Sequence, residues 1–188
     1  MLSQILDKVI DDITFPKLET YAGFVAWLKF IHQIMLASSP MLLFGAERAK
    51  DSIRDYYIRH AEEEREHALW MAEDLTTLGH YPVIDHAAAC IAGAQYYYAE
   101  HVAPEVLLGY MAALEFRPMP MEQVETLEGV FGKRAMRTVR YHALNDVRHT
   151  ADLRSLIDAQ DKFGGLIAYN TFATRKMLGH YLGERMTQ

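Results

Sequence analysis

Apolar residues recur at three- and four-residue steps along most of this chain, and that periodicity constrains its fold more than any other feature. An amphipathic helix buries such a stripe against neighbouring helices. Nowhere do apolar and polar residues alternate as they do in a half-buried strand. The sequence therefore predicts an all-α fold, and one clear stripe consists of Leu18, Tyr21, Phe24, Val25, Leu28, Ile31 and Met35.

Glycine, proline and capping residues divide the chain into seven predicted helices. The first helix is predicted from Lys17 to Ala37, where Ser38, Ser39 and Pro40 interrupt the pattern. No linker, internal repeat or low-complexity segment separates the helices, so residues 1–188 are expected to form a single helical metal-binding domain. The other predicted helices run from Ala46 to Leu78 before Gly79, from the N-cap Asp85 through Tyr98, from Pro104 to Pro118, from Glu122 to Phe131 before Gly132, from Lys133 to Gln160, and from the Gly164–Gly165 pair to about Leu182.

Composition limits the partners that the chain is expected to have. Its 188 residues carry 19 basic and 25 acidic side chains, which gives a net charge of −6. A negative charge of this size disfavours binding to nucleic acid or to an anionic membrane surface. No apolar run reaches the roughly 18 residues of a membrane span. The amino terminus does not resemble a signal peptide, and the single cysteine, Cys90, fits a reducing compartment. We therefore expect a cytoplasmic protein that acts on a small molecule, with monomer and homodimer both open.

Three potential metal ligands share one face of a predicted helix. His142, Asp146 and His149 stand at positions i, i+4 and i+7, which at about 100° per residue fall within roughly 60° of one another. Two imidazoles and one carboxylate form a nitrogen and oxygen ligand set that suits non-haem iron or manganese. An exposed polar stripe, or an aspartate that pairs with a histidine, would give the same pattern.

A second helix repeats this arrangement. Glu64 and His67 form a Glu-x-x-His pair with the same spacing as Asp146 and His149. Carboxylate-x-x-His pairs from two helices, with further glutamates from other helices, bind two metals in helical bundles. A solvated acidic face is the alternative, although it explains two histidines on that face poorly. The residues that share the face are His60, Glu63, Glu64 and His67.

Glu115 is the third candidate, because this carboxylate follows about ten mostly apolar residues and is expected to enter the core. Burying a carboxylate without a partner is energetically costly. A metal, Arg117 or a tyrosine would compensate its charge.

Taken in chain order, these motifs resemble the heme-oxygenase-like diiron oxidases, relatives of the TenA thiaminases and of the coenzyme-synthesis protein PqqC. The resemblance covers most of the chain and is most specific in His142-x-x-x-Asp146-x-x-His149. It implies a seven-helix heme-oxygenase-like bundle with two iron ions (manganese as the alternative) and O2 as co-substrate, oxidising an amine, an amino-acid-like molecule or a fatty acid. The ligands that it implies are Glu64 (or Glu63), His67, Glu115, His142, Asp146 and His149.

The chain departs from this family on the first core helix, where the family usually places a carboxylate. His32 and Gln33 stand at about that position. We expect His32 and Gln33 to face the same cavity as the other candidate ligands. Either His32 replaces the missing carboxylate as a ligand, or the metal site is incomplete. His60 would bind a metal or support a ligand by hydrogen bonding. Glu63 could restore the missing negative charge.

Two side chains are candidates for binding the substrate. Arg117 could pair with a carboxylate in bidentate fashion, and Tyr110 could line a pocket. The sequence identifies neither the substrate nor the electron donor, and no catalytic residue beyond the ligands.

Three other functions would each account for part of the sequence. A haem-degrading oxygenase would need a proximal histidine such as His32, which leaves the other ligand-type residues unexplained. A TenA-like hydrolase would need a nucleophilic cysteine at its pocket, and Cys90 stands in an alanine-rich segment. The third alternative is a metal-free or non-catalytic binding protein of the same fold.

Overall fold

The structure is a computed structural model that describes residues 1–13, 18 and 20–186. Within those residues the chain forms nine α-helices, two short 3-10 helices and no strand, which confirms the all-α prediction. The 3-10 helices are Pro104–Val106 and Lys133–Met136. The α-helices are α1 (Leu2–Asp11), α2 (Tyr21–Arg48), α3 (Asp51–Glu64), α4 (His67–Thr77), α5 (His86–His101), α6 (Leu107–Glu115), α7 (Met121–Phe131), α8 (Arg137–Asp158) and α9 (Gly164–Met186).

Several helix ends lie where the sequence predicted them. Asp85 is the N-cap of α5, and its carboxylate accepts hydrogen bonds from the amides of Ala87 and Ala88. Gly79 and Gly132, just beyond α4 and α7, have φ values of 77° and 87°, a backbone conformation that glycine adopts without steric cost. Local chemistry alone was therefore enough to predict these three boundaries.

The predicted end of the first long helix at Ala37 is wrong, because α2 continues through Pro40 to Arg48. The predicted start at Lys17 lies outside the described residues. Proline removes one backbone hydrogen bond and costs about 3 kcal/mol within a helix. The residues that follow offset this cost by burial, since Met41, Leu42 and Ala46 are almost fully enclosed in the core.

Nine helices replace the predicted seven for two reasons. The amino-terminal segment forms α1, whose apolar side is buried at Leu6 and Ile10. The second predicted helix begins later, at Asp51, and breaks at Arg65 and Glu66 into α3 and α4. This break falls within the most acidic run of the chain, where like charges one turn apart oppose helix formation.

The long helix α2 is central to the bundle and packs along α3, α5 and α4, while α6 packs along α9. One apolar core joins α1, α2, α3, α5, α6, α9 and the carboxyl-terminal half of α8, and a second lies among α2, α4, α7 and the amino-terminal part of α8. Among the described residues, no helix combines the length and apolar character needed to cross a bilayer.

Candidate metal centre

The ligand-type residues predicted on separate helices meet inside the bundle. The break between α3 and α4 lies within the Glu64-x-x-His67 pair, so Glu64 ends α3 and His67 begins α4. Glu115 is the last residue of α6, and α8 contributes the His-x-x-x-Asp-x-x-His triplet. Two groups of three residues result, and in each group the ligand atoms lie within 4.8 Å of one another: His60, Glu63 and His149, and Glu64, His67 and His142.

The first group joins α3 to α8. His149 Nε2 lies 3.0 Å from Glu63 Oε2, and His60 Nδ1 lies 4.0 Å from the same oxygen. The imidazole rings of His60 and His149 are in edge contact, with centroids 4.9 Å apart. Arg148 contacts the other oxygen of Glu63 from the exposed side at 3.1 Å.

The second group joins α3, α4 and α8. His67 Nδ1 lies 3.0 Å from Glu64 Oε1, and the rings of His67 and His142 are in edge contact with centroids 4.7 Å apart. Glu64 and His67 are both buried. Each group therefore contains two imidazoles and one carboxylate.

Two more carboxylates contact members of these groups. Asp146 Oδ1 is 3.1 Å from His142 Nδ1 in one group and 3.8 Å from His149 Nδ1 in the other. Glu115 Oε1 is 3.0 Å from His60 Nε2. Asp146 is thus placed to contact an ion held by either group, and Glu115 to contact an ion held beside His60.

Charges within the cluster shift the pKa values of its members. Burial alone would lower the pKa of His60, but the facing carboxylates, Glu115 first among them, raise it to about 9. Burial would likewise raise the pKa of Glu64, but the hydrogen bond with His67 and the charge of His142 lower it to about 2. In the metal-free protein, the positive charge of protonated imidazoles thus balances the negative charge of the carboxylates. A bound metal cation could balance the same negative charge.

Four of the candidate ligands carry a buried polar atom with no hydrogen-bond partner in the described part of the chain. Such atoms are rare, because an unsatisfied buried polar group costs about 1–3 kcal/mol. A bound metal would satisfy them, and an imidazole whose other nitrogen faces a carboxylate suits that role. The atoms are His67 Nε2, His142 Nε2, His149 Nδ1 and Glu115 Oε2. The residues present therefore fit a dinuclear centre.

A cavity of about 580 Å³ opens beside these residues. His60, Glu64, Glu115, His142 and Asp146 form part of its wall, and most of the remainder is apolar. Its volume lies in the range of roughly 300–1,000 Å³ that is typical of small-molecule sites.

The prediction that His32 and Gln33 face this cavity is wrong. The cavity side of α2 is formed by residues such as Ile31, Ile34 and Met35, and neither His32 nor Gln33 lines it. Residue 32 is rotated by about 100° from residue 31 on a helix, so the apolar stripe faces the cavity and His32 does not. The His32 Nδ1 atom lies 2.9 Å from the side-chain nitrogen (Nε2) of Gln33.

The two predicted substrate-binding side chains have different surroundings. Tyr110 is buried and lines the cavity, where burial raises the pKa of its phenol. Arg117 also lines the cavity, but its guanidinium binds Asp7 and Asp11 on α1 at 2.7–2.8 Å. Sequence reasoning missed Arg175, a third cavity residue, because no motif marks it within α9.

The structure weakens two of the alternative functions. Cys90 is exposed on α5 and does not line the cavity, so a TenA-like hydrolase would lack its cysteine nucleophile there. His32, the candidate proximal ligand of a haem oxygenase, also lies outside the cavity wall.

Comparison with known proteins gives one structural likeness. No family model and no curated protein matches the chain. The chain is similar to the crystal structure of a domain of unknown function with a heme oxygenase-like fold from Shewanella denitrificans OS217. The two share 15% sequence identity, with a TM-score of 0.48, over 98% of this chain and 84% of that one.

Proposed function

We propose that the chain is a non-haem diiron oxidase of the heme-oxygenase-like diiron oxidase family. The observation that carries the proposal is the pair of His₂–carboxylate groups on α3, α4 and α8, with unsatisfied buried nitrogen atoms at His67, His142 and His149. Nitrogen and oxygen ligands of this kind suit iron and, as the alternative, manganese.

The charge of the site supports two divalent ions. Two ferrous ions carry four positive charges, and the side chains that meet here supply four carboxylates: Glu63, Glu64, Glu115 and Asp146. Glu63 thus supplies the carboxylate that α2 lacks. A neutral assembly of this kind avoids the cost of an uncompensated buried charge.

Each residue has a role within this proposal. His60, Glu63 and His149 would hold one ion, and Glu64, His67 and His142 would hold the other. Glu115, beside His60, and Asp146, which contacts both groups, would supply further carboxylates to the site. Bound ferrous ions would supply the electrons for reducing O2, and the apolar cavity wall would keep bulk water from the substrate.

Anaerobic loading with ferrous iron tests the proposal. We expect about two irons per chain after desalting, the number that the two ligand groups would hold. The iron-loaded protein should consume O2 on mixing with air, whereas protein loaded with redox-inert zinc should not. Metal-free protein that retains its helices but binds less than one iron per chain would contradict the proposal and favour the metal-free binding protein.

The substitution Glu63→Gln tests whether Glu63 is the fourth carboxylate. Glutamine keeps the size of the side chain but removes the charge opposite His149, so we expect one of two iron-binding steps to weaken by at least about tenfold. Calorimetric titration with ferrous iron measures both steps. The matched control is Glu62→Gln on the exposed side of α3, which should titrate like wild type. If Glu63→Gln bound iron with the same two affinities as wild type, Glu63 would not be a ligand.

A further inference from the structure

Two aromatic side chains lie against the imidazole of His67, one of the candidate ligands. The ring centroids of Trp70 and Tyr141 are 4.9 Å and 5.0 Å from that of His67. Trp70 and Tyr141 also contact each other, with centroids 5.2 Å apart, and Tyr141 lies 6.0 Å from His142. Centroid distances of about 4.5–7 Å are those of packed aromatic rings. The rings of His67, Tyr141 and Trp70 are therefore in mutual contact.

This contact extends from the interior to the surface. His67 is buried, whereas Trp70 and Tyr141 are both partly exposed. The half-exposed Arg137 places its guanidinium over the Trp70 ring at 4.6 Å and pairs with the carboxylate of Glu73 at 2.7 Å. Aromatic rings thus join a buried candidate ligand to the solvent.

The groups around the cavity include several that an oxidant would damage. Any oxidant that can attack the C–H bonds of a substrate can also oxidise a thioether to a sulfoxide, which is polar and disrupts an apolar wall. In the absence of a substrate, the side chains that line the cavity are the ones exposed to such an oxidant. Five of these side chains are methionines: Met35, Met41, Met71, Met111 and Met119.

Tryptophan and tyrosine offer an oxidising equivalent another path. Their rings are the aromatic side chains that lose one electron most readily. Electron transfer between rings in contact is fast, because electronic coupling falls exponentially with distance. Trp70 and Tyr141 meet both conditions beside His67.

Tyr56 also contacts a candidate ligand, but its phenol has no route for its proton. Its ring stacks on His60 with centroids 5.5 Å apart. A phenol releases its proton when it loses an electron, and the Tyr56 hydroxyl is enclosed without a hydrogen-bond partner in the described part of the chain. Tyr141, which is partly exposed, can release its proton to water. Tyr56 is therefore a matched control for Tyr141.

We propose that Tyr141 and Trp70 carry oxidising equivalents from the metal centre to the surface when the cavity holds no substrate. This proposal rests on the proposed function, which supplies the oxidised centre. The two rings would then protect the methionines of the cavity at the expense of a reductant of the ascorbate type in solution.

Electrons and protons balance along this route. Tyr141 gives one electron to the oxidised centre and its phenolic proton to water. Trp70 then reduces the Tyr141 radical, which takes back a proton. Because the Arg137 cation disfavours a positive charge on the indole, Trp70 loses its N–H proton to water and becomes a neutral radical. Ascorbate restores Trp70 by donating one electron and one proton, so that overall one electron passes from ascorbate to the centre and one proton to water.

The first test measures electron exchange between the two rings in metal-free protein by pulse radiolysis. Trp27→Phe leaves Trp70 as the only tryptophan of the chain. Azide radicals, which oxidise indoles in preference to phenols, should produce a Trp70 radical that decays as a tyrosyl radical forms, at a rate independent of protein concentration. In the same background Tyr141→Phe should abolish this transfer, and Tyr56→Phe should retain it. Transfer that survives in Tyr141→Phe, or none in Trp27→Phe alone, would overturn the proposal.

The second test measures the protection of the cavity methionines. Iron-loaded protein is mixed with O2 and ascorbate without a substrate, and mass spectrometry then measures methionine sulfoxide per O2 consumed. Trp70→Phe and Tyr141→Phe should form several-fold more sulfoxide at Met71 and the other cavity methionines than wild type, and should oxidise less ascorbate per O2. Trp27→Phe, which changes a cavity tryptophan outside the route, should resemble wild type. Equal sulfoxide in all four proteins would overturn the proposal.

Failure of this proposal can be told apart from failure of the proposed function. Circular dichroism and iron analysis of each variant show whether the fold and the centre are intact. Wild type that binds no iron or consumes no O2 would contradict the proposed function, and with it the need for the route. Normal iron loading and O2 consumption, with the same sulfoxide yield in Trp70→Phe as in wild type, would contradict the route alone.

Discussion

Substituting His142 by alanine should abolish iron binding at one of the two positions and weaken it at the other. His142 supplies a partly buried imidazole to one ligand group and contacts Asp146, which lies between the groups. When the free iron concentration is a thousandfold above the dissociation constant of a site, binding at that site adds about 4 kcal/mol to the free energy of unfolding. At about 2–4 °C per kcal/mol, the iron-dependent rise in the melting temperature should fall by roughly 8–16 °C. Iron analysis and thermal melts with and without iron measure both effects.

The matched control for this variant is His86→Ala, because His86 is exposed at the start of α5, away from the ligand groups. It should keep the iron content and the melting behaviour of wild type. Asp146→Asn, which keeps the shape of the side chain, should also lose iron. Wild-type iron content in both His142→Ala and Asp146→Asn, with helicity unchanged, would exclude the α8 triplet from the site.

The second large effect concerns the contact between α6 and α9. A Cβ atom at Gly109 would lie 2.3 Å from the Ile167 carbonyl oxygen and 3.1 Å from the Thr171 amide nitrogen. Both are backbone atoms, so α9 itself would have to move, and Thr171 would be displaced from its 3.0 Å hydrogen bond to the Gly109 carbonyl. We expect Gly109→Ala to lower the free energy of unfolding by about 3 kcal/mol. Urea denaturation followed by circular dichroism measures this change.

Gly93→Ala is the control for Gly109→Ala. Gly93 lies within α5, and a Cβ atom there would meet nothing within 4 Å. Alanine favours a helix over glycine by about 0.5–1 kcal/mol, so this variant should be slightly more stable than wild type. If both glycine variants were equally stable, the close approach of α6 and α9 would be contradicted.

The sequence could indicate the candidate ligand residues because their spacing is a local property. His142, Asp146 and His149 share a helical face whatever the rest of the chain does, and the burial of Glu115 followed from its apolar neighbours. The capping of α5 by Asp85 is local in the same sense. Such features depend on a few consecutive residues, so one sequence is enough to predict them.

What the sequence could not predict depends on contacts between distant segments. Helix α2 continues past Pro40 because other helices bury its second half. Arg117 is bound by α1, a helix more than 100 residues away in the chain, and Arg175 joins the cavity wall only through the packing of α9 on α6. Spacing along one helix carries no information about such partners.

Helix α2 lines the cavity along its apolar side, whereas the candidate ligands lie on α3, α4, α6 and α8. Substitutions at positions such as Ile31, Ile34 or Met35 would thus alter the length and width available to a substrate without removing a ligand. In evolution, selectivity for different molecules could diverge along α2 while the candidate metal ligands on the other helices stayed constant. Directed evolution of new substrate preferences in this scaffold should therefore begin with α2.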